Sequence, residues 1–216
     1  MHIPDGFLNT GTSVAAWAIS AGSVGYAVRR VSRELGERQV PLMGVTAAFI
    51  FAAQMMNFTV AGGTSGHLLG GALAAILLGP WAAMLVLTSV LAVQALLFQD
   101  GGLLALGANV LNMAVVGVLV GWVVYTGLRR LAGNRTGATM VSGFAAAWLS
   151  VVIASLVAAV ELALSGTSPW GVALPAMGLV HMLIGIGEGL ITVAVLAFLR
   201  AVRPDLLALR QASVGV

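Results

Sequence analysis

Cysteine and lysine are both absent from this chain of 216 residues. Without cysteine there is no disulfide framework and no thiolate metal site, so a transition-metal centre has to use nitrogen, oxygen or thioether donors. Charge is scarce as well. Charged residues make up 8% of the chain and hydrophobic residues 60%, the profile of a polytopic membrane protein and not of a soluble domain. All ten basic residues are arginines, at 29, 30, 33, 38, 129, 130, 135, 200, 203 and 210. The net charge of +3 therefore bears on membrane orientation, and no nucleic-acid partner is expected. Neither an H-E-x-x-H element nor a Walker A motif occurs, so zincin chemistry and ATP binding by this chain are not expected. The opening MHIPDGFLNTG lacks the basic and apolar regions of a cleavable signal peptide, and Met1 is expected to be the mature start.

What is present is apolar sequence in long windows. A spanning helix needs about 20 residues at 1.5 Å each. Breaks at charged and Gly/Pro/Asp-rich stretches give seven windows, at about 11–28, 40–57, 66–79, 81–98, 103–128, 138–164 and 173–199. The connections RRVSRELGER and RRLAGNR and the tail from Arg200 carry arginine, whereas FTVAGGTSG, FQDGG and LSGTSPWG carry none. With seven spans the arginine-bearing connections share one side, which predicts the N-terminus outside and the C-terminus inside. The expectation is an all-α membrane bundle of about seven helices, one integral domain over 1–216, in the inner cell membrane. The third window, GHLLGGALAAILLG, makes only about 21 Å of helix. The AGGTSG before it is therefore expected to dip inward like a re-entrant loop, with His67 recessed at the helix start.

Under this topology His2, His67 and His181 all lie in the outer half, with Gln54, Asn57, Gln94, Gln99, Asp100, Asn109 and Asn112. Buried amides of this kind either line a cavity or join helices by hydrogen bonds. An α-amine has a low pKa for an amine, about 7.7 to 8, so it loses its proton readily. The Met1 amine, the His2 backbone nitrogen and His2 Nδ1 are able to close five- and six-membered chelate rings around one ion. Such a planar nitrogen set suits Ni(II) or Cu(II), with Co(II) also compatible. A neutral imidazole has to fill the fourth corner. His67 suits that role, because a helix N-terminus disfavours imidazolium, and His181 remains the other candidate. His181, Gly185 and Glu188 share one helix face, where Glu188 either serves the site or locks helices together.

A rival reading comes from GTSG at 63–66. It resembles the nucleophile motif of rhomboid intramembrane proteases, with Ser65 as nucleophile and His181 as base. No His-x-x-x-Asn element accompanies it, and that reading leaves MHIPDGF without a role.

MHIPDGFL, FAAQMMNFTVAGGTSGHLLGG (51–71), QALLFQDGGLLALGANVLNMA (94–114) and HMLIGIGEG (181–189) together resemble the CbiM/NikM family, over essentially the whole chain. These are the substrate-binding membrane subunits of cobalt and nickel energy-coupling factor transporters. The resemblance implies high-affinity uptake of Ni2+ or Co2+, with no enzymatic activity in this chain. The implied partners are a transmembrane coupling subunit, cytoplasmic ATPases and a small accessory membrane subunit, all in contact with lipid. It also implies a square plane of the Met1 amine, the His2 amide and imidazole, and His67. Ser65, Asn57, Gln99, Asp100, Asn109, Asn112 and His181 are expected to shape or close the pocket around it. The chain ends at Val216 without a fused small subunit, so a separate one is expected.

Overall fold

The computed structural model describes residues 1–34, 36, 39–133 and 136–207. Helices fall within each apolar window. They are α1 (Thr10–Glu34), α2 (Gln39–Gln54), α3 (Gly71–Leu78), α4 (Pro80–Leu97), α5 (Leu106–Asn109), a π-helical segment (Val110–Gly117), α6 (Val118–Ala132), α7 (Thr136–Leu164) and α8 (Trp170–Val202). α5, the π-helical segment and α6 form one continuous rod. Among the described residues, four helical rods are long and apolar enough to cross a bilayer: Pro80–Leu97, Leu106–Ala132, Thr136–Leu164 and Trp170–Val202. α1 falls outside that set because Gly, Ser and Thr dilute its apolar residues ahead of Arg29, and α2 has only 16 residues.

The third window departs from expectation. α3 has 8 residues and starts at Gly71, so residues 66–70 are not helical and His67 does not sit at a helix start. The reason is local. A carboxylate and an amide from distant helices engage the backbone groups of Leu69 and Gly70, and Gly70 turns into the left-handed region at φ 77°. Upstream, β1 (Phe58–Thr59) and β2 (Ser65–Gly66) form a short antiparallel hairpin that pairs Phe58 with Gly66 and Thr59 with Ser65. The sequence reading contained no strand here.

α3 packs against the α5–α6 rod, α4 and α7. The approach is close because Gly121 lacks a side chain: a Cβ there would lie 2.7 Å from the Ala72 Cα, inside contact distance. Small residues at crossings let helices meet where lipid supplies no hydrophobic drive between them. The wider π turn is tied to α7 by Ser150 Oγ, which donates to the Gly117 carbonyl at 2.7 Å, and by Asn112, discussed below. Asn9 joins three elements at one end of the bundle. Its Oδ1 accepts the Thr12 N–H at 2.8 Å, capping α1, and its Nδ2 donates to the Leu164 carbonyl at 3.0 Å, closing the end of α7.

Residues 1–9 are not a loose tail. Met1, His2 and Ile3 are all buried, and the side chains of Met1 and Ile3 belong to the main apolar core. Burying side chains of this size stabilises by roughly 1.5–3 kcal/mol each, enough to hold the terminus inside the bundle.

Candidate metal centre

The N-terminal strap is held residue by residue. The Met1 amine donates to the Ser65 carbonyl and, at 2.9 Å, to Ser65 Oγ, which also accepts the His2 N–H at 3.1 Å. Ile3 pairs with the Asn109 side chain in both directions: its N–H donates to Oδ1 at 2.8 Å, and its carbonyl accepts from Nδ2 at 3.1 Å. The same carbonyl accepts the Gly102 N–H at 2.9 Å. Asp5 then orders the segment ahead of α5, its carboxylate accepting the N–H groups of Leu103, Leu104 and Ala105 at 3.0, 2.8 and 3.1 Å. Gly102 is required at this crossing, since a Cβ would collide with Asp5.

The His2 ring is gripped from two sides. Nε2 lies 3.2 Å from Gln94 Oε1 on α4, and Nδ1 lies 3.2 Å from Asp100 Oδ1. Asn57 Nδ2 donates to the other Asp100 oxygen at 3.0 Å. Burial pushes the Met1 amine well below its ordinary value, against the opposing charge of Asp100. Burial also lowers His2, with the Asp100 contact pulling the other way. Half-burial of Asp100 acts upward, but His2, the amine and Asn57 together leave its carboxyl below the usual range. The basic nitrogens are thus biased toward their unprotonated forms, while a carboxylate stands charged beside them.

His67 stacks on His2, with ring centroids 4.5 Å apart and planes inclined by 19°. Its Nδ1 lies 2.8 Å from the Leu68 carbonyl. A carbonyl only accepts, so the proton sits on Nδ1 and the lone pair on Nε2, which is buried with no hydrogen-bond partner. An unpaired buried nitrogen is costly, and one beside an α-amine, an amide nitrogen and a second imidazole makes a donor set of four nitrogens. Among the described residues no cluster of three or more His, Cys, Asp and Glu side chains occurs; the set depends on backbone and terminal nitrogens. A cleft of about 690 Å³ reaches His2, lined also by Asp5, Thr59, Thr64, Ser65 and Asp100 among others.

The remaining expected residues divide. Asn57, Ser65, Asp100 and Asn109 touch the strap or its partners, as above. Gln99 is exposed and lines the cleft, with φ 55°. Asn112 turns elsewhere, donating to Glu161 of α7 at 2.6 Å, so it joins helices. His181 is buried with Nδ1 2.7 Å from the Met177 carbonyl one turn back. Its Nε2 has no hydrogen-bond partner. Ser65 meets His181 through its backbone and not its hydroxyl; the hydroxyl accepts from the Met1 amine and the His2 N–H, so the dyad the protease reading needs is not formed. Gln94 was noted only as one polar residue among many. Its signal was an amide in an otherwise apolar helix, and the structure puts it against His2.

Long apolar helices packed around a buried polar pocket define a multi-pass membrane protein. The sequence matches the family CbiM, "Cobalt uptake substrate-specific transmembrane region", over residues 2–206, and the chain belongs to that family. It is 44% identical over 209 residues to a putative fused nickel transport protein NikMN of Archaeoglobus fulgidus, an alignment covering 96% of this chain and 68% of that one. It is 44% identical over 208 residues to a putative metal transport protein of Haloquadratum walsbyi, covering 95% and 93% of the two chains. A crystal structure of a transition metal transporter superposes with a TM-score of 0.89 at 36% identity, covering 94% of this chain and 93% of the other. The fold is that of a transition metal transporter, in a family of cobalt and nickel transport proteins, and these relationships give the serine protease reading no support.

Proposed function

We propose that this chain is the substrate-capture subunit of an ATP-driven energy-coupling factor transporter, taking up Ni2+ or Co2+ across the cytoplasmic membrane. The observation that carries the reading is the buried terminus: the Met1 amine and His2 lie against His67, whose Nε2 is directed to no protein partner. In this reading the ion is bound by the Met1 amine, the His2 amide nitrogen, His2 Nδ1 and His67 Nε2. Ser65, Gln94 and Asp100 steady those donors, and His181 lies outside the plane. The stack of His67 on His2 favours His67 over His181 for the fourth corner. Amide deprotonation and four nitrogens suit a metal that accepts a square plane, and coordination releases protons.

The chain forms one integral domain that crosses the membrane seven times, α3 being completed by the loop before it. Arg33 in the last turn of α1, Arg129 and Arg130 in that of α6, and Arg200 in that of α8 support an inner face at those ends and an outer N-terminus. Hydrated metal enters by the cleft from outside. A coupling subunit, cytoplasmic ATPases and a small accessory membrane subunit supply the motion that opens the site inward; the chain itself binds no ATP and catalyses no reaction. The test is nickel and cobalt titration of the purified chain with a competing chelator. Wild type is expected to bind one ion with release of protons and a planar Ni(II) spectrum, and His67→Ala to lose that spectrum. An unchanged spectrum and affinity in His67→Ala overturns the reading.

A further inference from the structure

The loop that carries His67 is fixed from two distant helices, by groups that do not reach the metal centre. Glu188, in the middle of α8 and buried, accepts the Leu69 N–H on Oε2 at 2.6 Å and the Gly70 N–H on Oε1 at 2.5 Å. Gln54, at the end of α2 and fully buried, donates from Nε2 to the Leu69 carbonyl at 2.7 Å. The Leu68 carbonyl is already engaged by His67 Nδ1. The three residues after His67 therefore have their polar backbone groups held from α2, from α8 and from the imidazole itself. The strap that carries Met1 and His2 shares Ser65 of the His67 loop but is otherwise held by a different set: Gln94 of α4, Asp100, Gly102 and Asn109.

We propose that Glu188, assisted by Gln54, is the positioning residue for His67, making α8 and α2 the helices whose position sets where the fourth nitrogen stands relative to the N-terminal strap. The inference rests on the planar-site reading above and adds a handle to it. A carboxylate that takes both N–H groups of consecutive residues fixes the peptide between them in direction and depth, so the imidazole two residues earlier follows α8. Movement of α8 away from α4 shifts His67 relative to the Gln94, Asp100 and Asn109 contacts that hold the strap, and so opens the fourth corner of the site. The clamp also accounts for an acidic side chain within an apolar helix, where an unpaired one is costly.

The test uses Glu188→Asp, which keeps the carboxylate but draws it back by one methylene, and Gln54→Met, which removes only the contact from α2. Nickel affinity and the Ni(II) ligand-field spectrum are measured on the full chain in detergent, alone and in the His67→Ala background. Glu188→Asp is expected to weaken nickel binding about 10- to 100-fold, as loss of a group orienting a ligand does, and to move the spectrum toward that of His67→Ala. In the His67→Ala background it is expected to weaken binding no further. Gln54→Met is expected to act in the same direction with smaller size, and it carries the test should the Glu188 variant not fold. Wild-type affinity and spectrum in both variants, or an equal further loss in the His67→Ala background, overturns the positioning role. Failure of His67→Ala itself to alter the spectrum overturns the planar site instead, so the two failures are told apart.

Discussion

Asn109→Leu is expected to loosen the N-terminal strap without touching a proposed ligand. Leucine matches asparagine closely in shape, so the change removes polarity and leaves packing nearly intact. Two hydrogen bonds disappear, from the Ile3 N–H at 2.8 Å and to the Ile3 carbonyl at 3.1 Å. The carbonyl keeps the Gly102 N–H at 2.9 Å, so only the buried Ile3 N–H is left without a partner. Leaving one such group unsatisfied costs about 1–3 kcal/mol. At 1.4 kcal/mol per factor of ten, the docked strap is disfavoured by about 5- to 150-fold. Because metal binds only the docked form, apparent affinity falls with the docked fraction, and that range is the upper limit on the loss. Asn109→Asp keeps the acceptor for the Ile3 N–H and removes only the redundant donor, so it should fall between Leu and wild type. The assay is nickel titration against a chelator of known affinity, with thermal unfolding run in parallel. Nickel affinity within about twofold of wild type, a free-energy change of only about 0.4 kcal/mol, would refute the argument that strap docking builds the metal centre, provided that Asn109→Leu lowers the thermal midpoint.

Two further expectations concern the terminus. One residue added ahead of Met1 inserts a second backbone amide between amine and imidazole, so the extended terminus is able to fill a square plane with its own nitrogens. Nickel bound by the extended chain should then be insensitive to His67→Ala and should not be transported, and a retained dependence on His67 would count against the ring system. The second concerns pH. Burial lowers both the Met1 amine and His2. In the undocked chain these groups protonate as pH falls through about 8 and about 6.5, so each protonated group must release its proton on docking. Docking and metal affinity are therefore greatest above those values and fall as pH falls through them. A titration of nickel affinity from about pH 8.5 to about pH 5, spanning the ordinary values of the two groups, that stays flat would contradict it.

Periodicity and charge placed the helices, because a bilayer demands about 20 apolar residues wherever a helix crosses and penalises charge within the crossing. A helix falls within each window, although in the third only the eight residues of α3 are helical, and the family was legible in contiguous blocks such as GTSGH. The candidate donors were also legible, since two of the three nitrogens at the terminus are adjacent in sequence by necessity. Other features were not. The start of α3 is displaced to Gly71 because the single side chain of Glu188, 119 and 118 residues away, takes the N–H groups of Leu69 and Gly70, and no local propensity encodes a partner at that separation. The tautomer of His67 is set by a carbonyl of its own loop, and the residue does not sit at a helix N-terminus. Asn109 and Asn112, three residues apart on one rod, serve different purposes, one gripping the strap and the other pairing with Glu161.

The sequence alone determined the membrane class, the apolar helices and the exclusion of thiolate donors, since each follows from which residue types occur and how they are spaced. Only the tertiary structure decided that the terminus is buried, that His67 rather than His181 stacks on His2, that Gln94 meets His2, and that Gln54 and Glu188 hold the loop after His67. Those outcomes depend on which distant backbone groups remain unsatisfied after the helices pack, and packing is what makes each unsatisfied group find its partner.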